Sequence, residues 1–321
     1  MGLYALRRLM LAIPTLFIVA LFSFILMRLT PGDVILAQIG ASNPQGIGNI
    51  DPVRLAEIKR SLGLYGTVPE QFARWLFGVL RGDFGESWLT GHHTLADFTD
   101  RMFPTLELGV LATAFSVMLG VTVGTLSSLY RGAWVDQVGR GLSILALSTP
   151  NFFLGVLVII GMSRAFHVTP PTGVSTPWND PIGNIGQFLA PALVLAAASA
   201  GTTARLTRTS MLEVLRQDYI RTAHSKGLAT RVVIVRHAMR NALLPVVTVV
   251  GAQLTLIIAG SVVVEQIFNI RGVGQLTISA LFNRDYVQLQ TNVFLFAIAI
   301  VTGNLLVDLS YGWIDPRVRY S

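Results

Sequence analysis

The chain contains no cysteine and few charged residues for its length. Without cysteine, disulfide bonds, thiol catalysis and cysteine-ligated metal sites are excluded. Charged residues make up 13% of the 321 residues, whereas soluble proteins average about 25%. Apolar residues reach 52%, and long stretches carry no charge. A soluble surface cannot be built from such a chain, so the sequence predicts an integral membrane protein.

Six windows are long and apolar enough to cross a bilayer and contain no Asp, Glu, Lys or Arg. A helix needs about 20 residues to cross a hydrocarbon core of ~30 Å. The windows are residues 9–27, 108–130, 141–163, 181–204, 241–264 and 286–307. Small residues fill the fourth window, which favours close helix contacts and predicts a place inside the bundle. The predicted fold is therefore an all-α polytopic membrane protein with six transmembrane helices.

The positions of lysine and arginine predict how these helices are oriented. Fourteen of the 24 basic residues fall before the first window, between the second and third, between the fourth and fifth, or after the sixth. Lysine and arginine are enriched in short loops on the cytoplasmic side of a membrane, so both termini are predicted to be cytoplasmic. The net charge of +7 is explained by this topology, and no nucleic acid is expected as a partner.

The same boundaries predict four regions along the chain. Residues 1–28 hold the N-terminus and first helix, residues 29–103 form a large extracytoplasmic loop, and residues 104–313 form the core, with a cytoplasmic loop at 205–240. Residues 314–321 form a cytoplasmic tail. Within the large loop, Asp51-Pro52 predicts a helix start, and residues 70–80 form a second amphipathic helix. Two interpretations remain open: a folded cap on the membrane surface, or a docking surface for an external partner.

The segment 205–240, which we call the basic loop, is the most informative part of the sequence. It carries eight basic residues and two acidic ones. Its composition predicts a helix over residues 211–226, a stop at Gly227 and a second helix over residues 231–243. Ile220, Ala223 and Gly227 share one face, and the two small residues would let a partner protein approach closely. The sequence therefore predicts a short docking helix.

The known motifs for catalysis are missing. The sequence contains no phosphate-binding loop of the form G-x-x-x-x-G-K-[ST], and no H-E-x-x-H or G-x-S-x-G motif. The five histidines do not form a metal-binding pattern. We therefore expect no catalytic residue, no metal site and no cofactor bound by this chain itself.

Residues 219–228, followed by residues 236–245, resemble the cytoplasmic signature loop of ABC importer permeases, in particular the peptide and nickel branch. That loop carries the motif Glu-Ala-Ala-x-x-x-Gly, in which Arg221 and Thr222 replace the first two residues while Ala223 and Gly227 match. Shorter landmarks such as residues 30–33 and 283–286 agree with the resemblance. The residues assigned to the coupling loop on this basis are Tyr219, Ile220, Arg221, Thr222, Ala223, Lys226, Gly227, Leu228, His237, Asn241 and Pro245.

The resemblance implies a subunit of an importer in the cell membrane of a prokaryote. Such a permease pairs with a second, homologous permease, as a homodimer or a heterodimer, to form the translocation path within the membrane lipid. Two cytoplasmic ATPase subunits bind ATP and Mg²⁺ and dock on the signature loop, and an external solute-binding protein delivers the solute. The implied solutes are dipeptides, oligopeptides or related small molecules, including nickel chelates.

Polar residues in or beside the predicted helices are candidates for the translocation path. In this position they could also bridge helices or reach the membrane surface. They are Glu107, Asn151, Gln253, Asn304 and Asp308. The alternative function is a secondary transporter driven by an ion gradient, which would require paired interrupted helices and buried acids near the bilayer midplane.

Overall fold

A computed structural model describes residues 2–29, 65–167 and 175–314, and the regular structure in these ranges is helical. The predicted helix after Asp51 and the tail beyond residue 314 lie outside the described residues. The helices are α1 (Gly2–Leu29), α2 (Val68–Leu80), α3 (Thr94–Leu129), α4 (Trp134–Ser148), α5 (Asn151–Phe166), α6 (Pro181–Val214), α7 (Asp218–Ser225), α8 (Thr230–Val232), a π-helical turn (Val233–Ala238), α9 (Met239–Ala242), α10 (Leu244–Phe268), α11 (Val273–Phe282) and α12 (Tyr286–Ile314).

Four of these helices, α1, α3, α6 and α12, are each long and apolar enough to cross a membrane. Three bent pairs of shorter helices satisfy the same measure when each pair counts as one span. In the described part of the chain the number of candidate spans thus lies between four and seven. The fold is that of an all-α polytopic membrane protein, as the sequence predicts.

The third predicted window is not a straight helix. Helices α4 and α5 occupy it, and they meet at an angle of 108°. The break falls at Thr149 and Pro150. Proline lacks an N–H to continue the helix and disfavours helical backbone at the residue before it, and Thr149 is extended with ψ 119°. Pro150 then directly precedes the first residue of α5.

The fifth predicted window is occupied mainly by the continuous helix α10, and the chain bends just before and just after that helix. The segment Thr230–Ala242 meets the first part of α10, Leu244–Gln253, at an angle of 52°. The second part of α10, Thr255–Phe268, forms another bent pair with α11. Ten of the residues between positions 265 and 285 form α11.

By its internal contacts the chain divides into two compact units, residues 1–103 with 276–321 and residues 104–275. The core of the second unit is built around α6, whose residues Ala192 and Ala196 are fully buried. A Cβ atom added at Gly124 of α3 would overlap the backbone carbonyl of Ala204 in α6. The two helices therefore pack backbone to backbone, which confirms that the fourth window lies inside the bundle.

In the first unit, α2 is the amphipathic helix predicted over residues 70–80. The backbone N–H of Thr67 donates to Glu70 at 2.8 Å, which caps the start of the helix and lowers the pKa of the Glu70 carboxyl. Phe72 packs against Phe24 of α1 with ring centroids 5.1 Å apart, and Trp75 packs against Phe294 of α12 at 5.6 Å. The apolar face of α2 is thus half-buried against α1 and α12.

Helix α3 begins earlier than the predicted second window. It starts at Thr94, so the last ten residues of the predicted 29–103 loop are helical. Near this start, Ser87 donates to the buried carboxylate of Asp285 at 2.5 Å. Thr94 and Thr291 are also hydrogen-bonded to each other at 3.0 Å. These buried bonds tie the beginning of α3 to the beginning of α12.

Candidate functional site

The basic loop begins inside helix α6, and its predicted first helix is shorter than expected. Helix α6 continues to Val214, so Met211 belongs to α6 and not to a helix of the loop. Residues 215–217 form a turn that ends α6, and α7 then covers only Asp218–Ser225. The prediction of one helix over residues 211–226 is therefore wrong, whereas the helix after Gly227 is present as α8, the π-helical turn and α9.

Helix α7 is anchored by one face to the rest of the loop. Ile220 and Ala223 are 2% and 7% exposed. They belong to a buried apolar group that we call the loop cluster, which consists of Met211, Ile220, Ala223, Val233, Ala238 and Ala242. This group joins the end of α6, helix α7 and the segment leading into α10.

The loop cluster corrects one expectation from the sequence. The face carrying Ile220 and Ala223 was predicted to receive a partner protein, but the chain itself already covers that face. The i, i+3 spacing correctly indicated a shared apolar face. Spacing alone gives no information on whether the covering surface belongs to the same chain or to another one.

The opposite face of α7 is exposed and cationic. Tyr219 is 42% exposed, and Arg221 and Thr222 are also exposed, as are Lys226 and Leu228 beyond the helix. The exposed arginines at 216, 231, 236 and 240 add to the positive charge of the loop, while Asp218 lies 3.5 Å from Arg221. An ion pair this exposed contributes little stability. The positive charge on this side of the basic loop thus comes mainly from the residues that flank α7.

Gly227 ends the turn after α7 in a left-handed conformation, with φ +77°. A Cβ atom added at Gly227 would meet no atom within 4 Å. The glycine is therefore required for its backbone conformation rather than for close packing within the chain.

The remaining predicted loop residues close the loop at its other end. Asn241 donates from its side-chain amide to the hydroxyl of Tyr219 at 2.9 Å and to the backbone carbonyl of His237 at 3.4 Å. Pro245 lies in the first turn of α10, where its missing N–H costs no helix hydrogen bond. The structure thus brings Tyr219, Asn241 and the loop cluster together in one compact folded element.

The candidate path residues have different surroundings within their own units. Gln253 is buried and accepts a hydrogen bond from Thr203 at 3.3 Å, so it bridges α10 and α6. Glu107 is hydrogen-bonded to Asn184 in the same unit, and its Oε2 atom is buried without a hydrogen-bond partner among the described residues. Asn151 is half-buried at the start of α5. The last two candidates belong to the first unit. Asn304 is exposed on α12, and Asp308 lies on the same helix.

Two buried acids that the sequence did not single out each have several polar partners in the second unit. Glu265 of α10 is fully buried and accepts from Thr105 at 2.8 Å, from Ser261 at 2.9 Å and from the backbone of Gln275 at 3.1 Å. Asp136 of α4 is paired with Arg208 of α6. Glu265 sits one residue beyond the fifth window, where a charged residue is expected in a loop. No group of His, Asp and Glu that could hold a metal ion occurs in the described ranges.

Comparison with known proteins places these features in a family. Residues 116–320 match the family described as binding-protein-dependent transport system inner membrane component, and residues 1–104 match its N-terminal part. The chain belongs to this family. It is thus a permease subunit of an ABC importer and a multi-pass protein of the inner membrane.

The relatives span the full length of the chain. The chain is 37% identical to the glutathione transport system permease protein GsiC of Pectobacterium atrosepticum over 99% of both chains. It is 37% identical to the dipeptide transport system permease protein DppB of Escherichia coli K12, over 99% of this chain and 98% of that one. The probable peptide ABC transporter permease protein y4tP of Sinorhizobium fredii is 37% identical over the whole of both chains.

A solved structure supports the fold. The crystal structure of an amino acid ABC transporter with histidines matches with a TM-score of 0.53, covering 67% of this chain and 92% of that one. The two chains share 16% sequence identity, so this match concerns the fold alone.

Proposed function

We propose that this permease imports small peptides, delivered by an external solute-binding protein and powered by two ATPase subunits in the cytoplasm. The proposal is supported by relatives that match this chain over nearly their whole length and whose names specify glutathione, dipeptides or peptides. A second, homologous permease completes the translocation path. ATP and Mg²⁺ bind to the ATPase subunits, because this chain carries no phosphate-binding loop.

The proposed topology has six spans with both termini in the cytoplasm. The third span consists of the bent pair α4 and α5, and the fifth is helix α10, with a bend of the chain before and after it. Residues 29–103 then form the large external region, and the basic loop faces the cytoplasm. In this cysteine-free chain, Thr230→Cys should be shielded from an impermeant thiol reagent in whole cells, and Asn179→Cys should react; the reverse pattern would overturn the topology.

The two faces of α7 carry the coupling proposal. Its inner face is fixed in the loop cluster, and its outer face presents Tyr219, Arg221 and Thr222 to solvent. An amphipathic helix held in this way can lie in a groove of a partner without losing its own support. We assign the outer face to the ATPase interface.

The loop cluster also supplies a mechanical connection. Met211 is fully buried in the last turn of the long helix α6, and Ala242 is separated from the start of α10 by Leu243 alone. Because packed interiors have low compressibility, a displacement of α7 is transmitted to its packing partners. Movement of the ATPase subunits would therefore shift the cytoplasmic ends of α6 and α10 together.

The polar residues near the path have different proposed roles. Gln253 bridges helices through Thr203, so its role is structural. Glu107 has a buried carboxylate oxygen that no described residue satisfies, which makes it the better candidate to contact solute. Asn151, Asn304 and Asp308 remain candidates that could be tested by the same substitutions.

A charge reversal at Arg221 tests the coupling proposal. Arg221→Glu places a negative charge on the outer face of α7 and leaves the loop cluster intact. The complete complex is co-expressed with a tag on this chain, and the recovered ATPase is measured together with peptide-stimulated ATP hydrolysis in liposomes. We expect roughly tenfold weaker association. Arg131→Glu, an exposed reversal between α3 and α4, is the matched control and should behave as the unmodified protein.

The same preparation separates the proposal from a gradient-driven transporter. The bends on either side of α10 and the buried Glu265 are features that a secondary transporter would also show. Family membership favours the ATP-driven mechanism. Uptake by the chain alone, driven by a proton or sodium gradient and independent of ATP, would contradict the proposal. Normal ATPase recovery with Arg221→Glu would contradict only the assignment of the interface.

A further inference from the structure

We propose that a cavity between α3, α4 and α6 binds the headgroup of an anionic phospholipid. The cavity has a volume of about 270 Å³ and lies within the second unit. Three arginines, Arg140, Arg205 and Arg208, line it together with the apolar side chains Ile144 and Leu147. Neither the transport proposal nor the family assignment gives this cavity a role.

The cavity carries an excess of positive charge. Arg208 is paired with Asp136 at 2.7 Å, and the same carboxylate lies 3.4 Å from Nε of Arg140. One carboxylate therefore faces two guanidinium groups. Arg205 is exposed and adds a third positive charge, and the lining contains no acidic residue. A bound anion would relieve the repulsion between these like charges.

The pattern along α4 determines what kind of anion fits. Arg140, Ile144 and Leu147 follow the spacing i, i+4, i+7 and so lie on one face of the helix. The face extends about 10 Å from a cationic end to an apolar end. Ile144 is 64% exposed and the adjacent Leu145 is 63% exposed. A free phosphate would use only the arginines, whereas a phospholipid would place its phosphate there and its acyl chains along the apolar side chains.

The position of this end of α4 agrees with a membrane boundary. Trp134, the first residue of the helix, is 74% exposed, and tryptophan is enriched where the bilayer meets water. In the proposed topology this boundary is the cytoplasmic one. Basic pockets between membrane helices on that side are suited to anionic lipid headgroups. The inference rests on the proposed topology for the choice of leaflet, and on the cavity itself for the choice of ligand.

Protection of a single cysteine tests the proposal on the purified full-length chain. Ser143 lines the cavity, and Ser143→Cys introduces a thiol of nearly the same size. Its alkylation rate is measured in a neutral detergent with dioctanoyl phosphatidylglycerol, dioctanoyl phosphatidylcholine or sodium phosphate. We expect saturable, at least threefold protection by phosphatidylglycerol and none by the other two. Protection by phosphatidylcholine or by phosphate at the same concentrations would overturn the proposal, as would no protection at all.

Arginine variants connect this protection to the proposed charges. Arg205→Gln and, independently, Arg140→Gln should each raise the phosphatidylglycerol concentration for half-protection about tenfold. Arg231→Gln, an exposed arginine outside the cavity, should leave it unchanged. Ser225→Cys on α7 serves as a reference thiol; equal slowing there would mean that the lipid acts through the micelle and would overturn the site. The assay uses no transport activity, so its failure would be separate from a failure of the proposed function.

Discussion

Arg208 in α6 binds Asp136 in α4 through two parallel hydrogen bonds, Nε to Oδ1 at 2.7 Å and Nη2 to Oδ2 at 2.8 Å. The carboxylate is 1% exposed and also accepts from the backbone N–H of Gly132 at 3.0 Å. Paired hydrogen bonds of this kind fix direction as well as distance. The interaction therefore sets the position of α4 against α6, beside the proposed lipid cavity.

Removal of Asp136 should destabilise the protein. Asp136→Ala leaves the largely buried guanidinium of Arg208 without its partner, and we expect a loss of about 2 kcal/mol in the free energy of unfolding. Thermal unfolding in detergent measures it. Asp218→Ala is the matched control, since the Asp218 side chain is 95% exposed in its ion pair with Arg221, and the control should cost less than about 0.5 kcal/mol. Equal effects of the two variants would mean that the buried pair contributes no more to stability than the exposed one.

A larger residue at position 223 should disturb the loop itself. Ala223→Leu adds three carbon atoms inside the loop cluster, and overpacking of this kind costs about 1–3 kcal/mol. We expect faster proteolysis in the basic loop and, as a consequence, less bound ATPase. Thr222→Leu places the same side chain on the exposed face and should leave proteolysis unchanged. Intact protection of the loop in Ala223→Leu would show that the cluster tolerates the added volume.

Local sequence pattern predicted the elements that depend on neighbouring residues. The amphipathic helix α2 and the shared face of Ile220 and Ala223 follow from residue spacing. The burial of α6 follows from its small side chains. In each case the signal lies within one turn or one helix.

The features that were missed depend on distant residues or on backbone direction. A hydropathy window measures only how apolar a stretch is and not the direction of its backbone. Residues 141–163 were therefore predicted as one span, although the chain bends by 108° at Pro150. Pro150 was the available signal, but prolines are often tolerated in membrane helices. The partners of Glu265 include Thr105, which is 160 residues away, and no local pattern indicates that contact. Likewise, nothing near Asp136 in the sequence points to Arg208.

Gly227 should be replaceable by residues that accept its backbone conformation. At φ +77°, alanine is strained and asparagine less so, so Gly227→Ala should cost about 1 kcal/mol and Gly227→Asn less. The rate of proteolysis in the loop and the amount of ATPase recovered from the co-expressed complex are measured for both variants. If Gly227→Asn kept a protected loop but lost the ATPase, the glycine would be needed for close contact with the partner. Such a result would show that its backbone conformation is not its only role.

Glu265 should be essential for the connection between α10 and α11. Its carboxylate satisfies the hydroxyls of Thr105 and Ser261 and the backbone N–H of Gln275, all within the second unit. Glu265→Ala leaves these donors buried without an acceptor, and we expect a loss of about 3 kcal/mol. Glu265→Gln keeps one carbonyl oxygen but turns an amide N–H₂ toward another donor, so its loss should be intermediate.

Thermal unfolding in detergent measures this series, with Glu213→Ala as the control, because Glu213 is an exposed acid near the end of α6. Gly272→Ala provides an independent variant, since a Cβ atom at Gly272 would overlap the Glu265 carboxylate. Gly272→Ala should therefore reproduce part of the stability loss of Glu265→Ala while keeping the acid in place. If Glu265→Ala and Gly272→Ala were both as stable as the control, the hydrogen bonds around Glu265 would not hold this connection. In that case the buried acid would have to be explained by function rather than by stability.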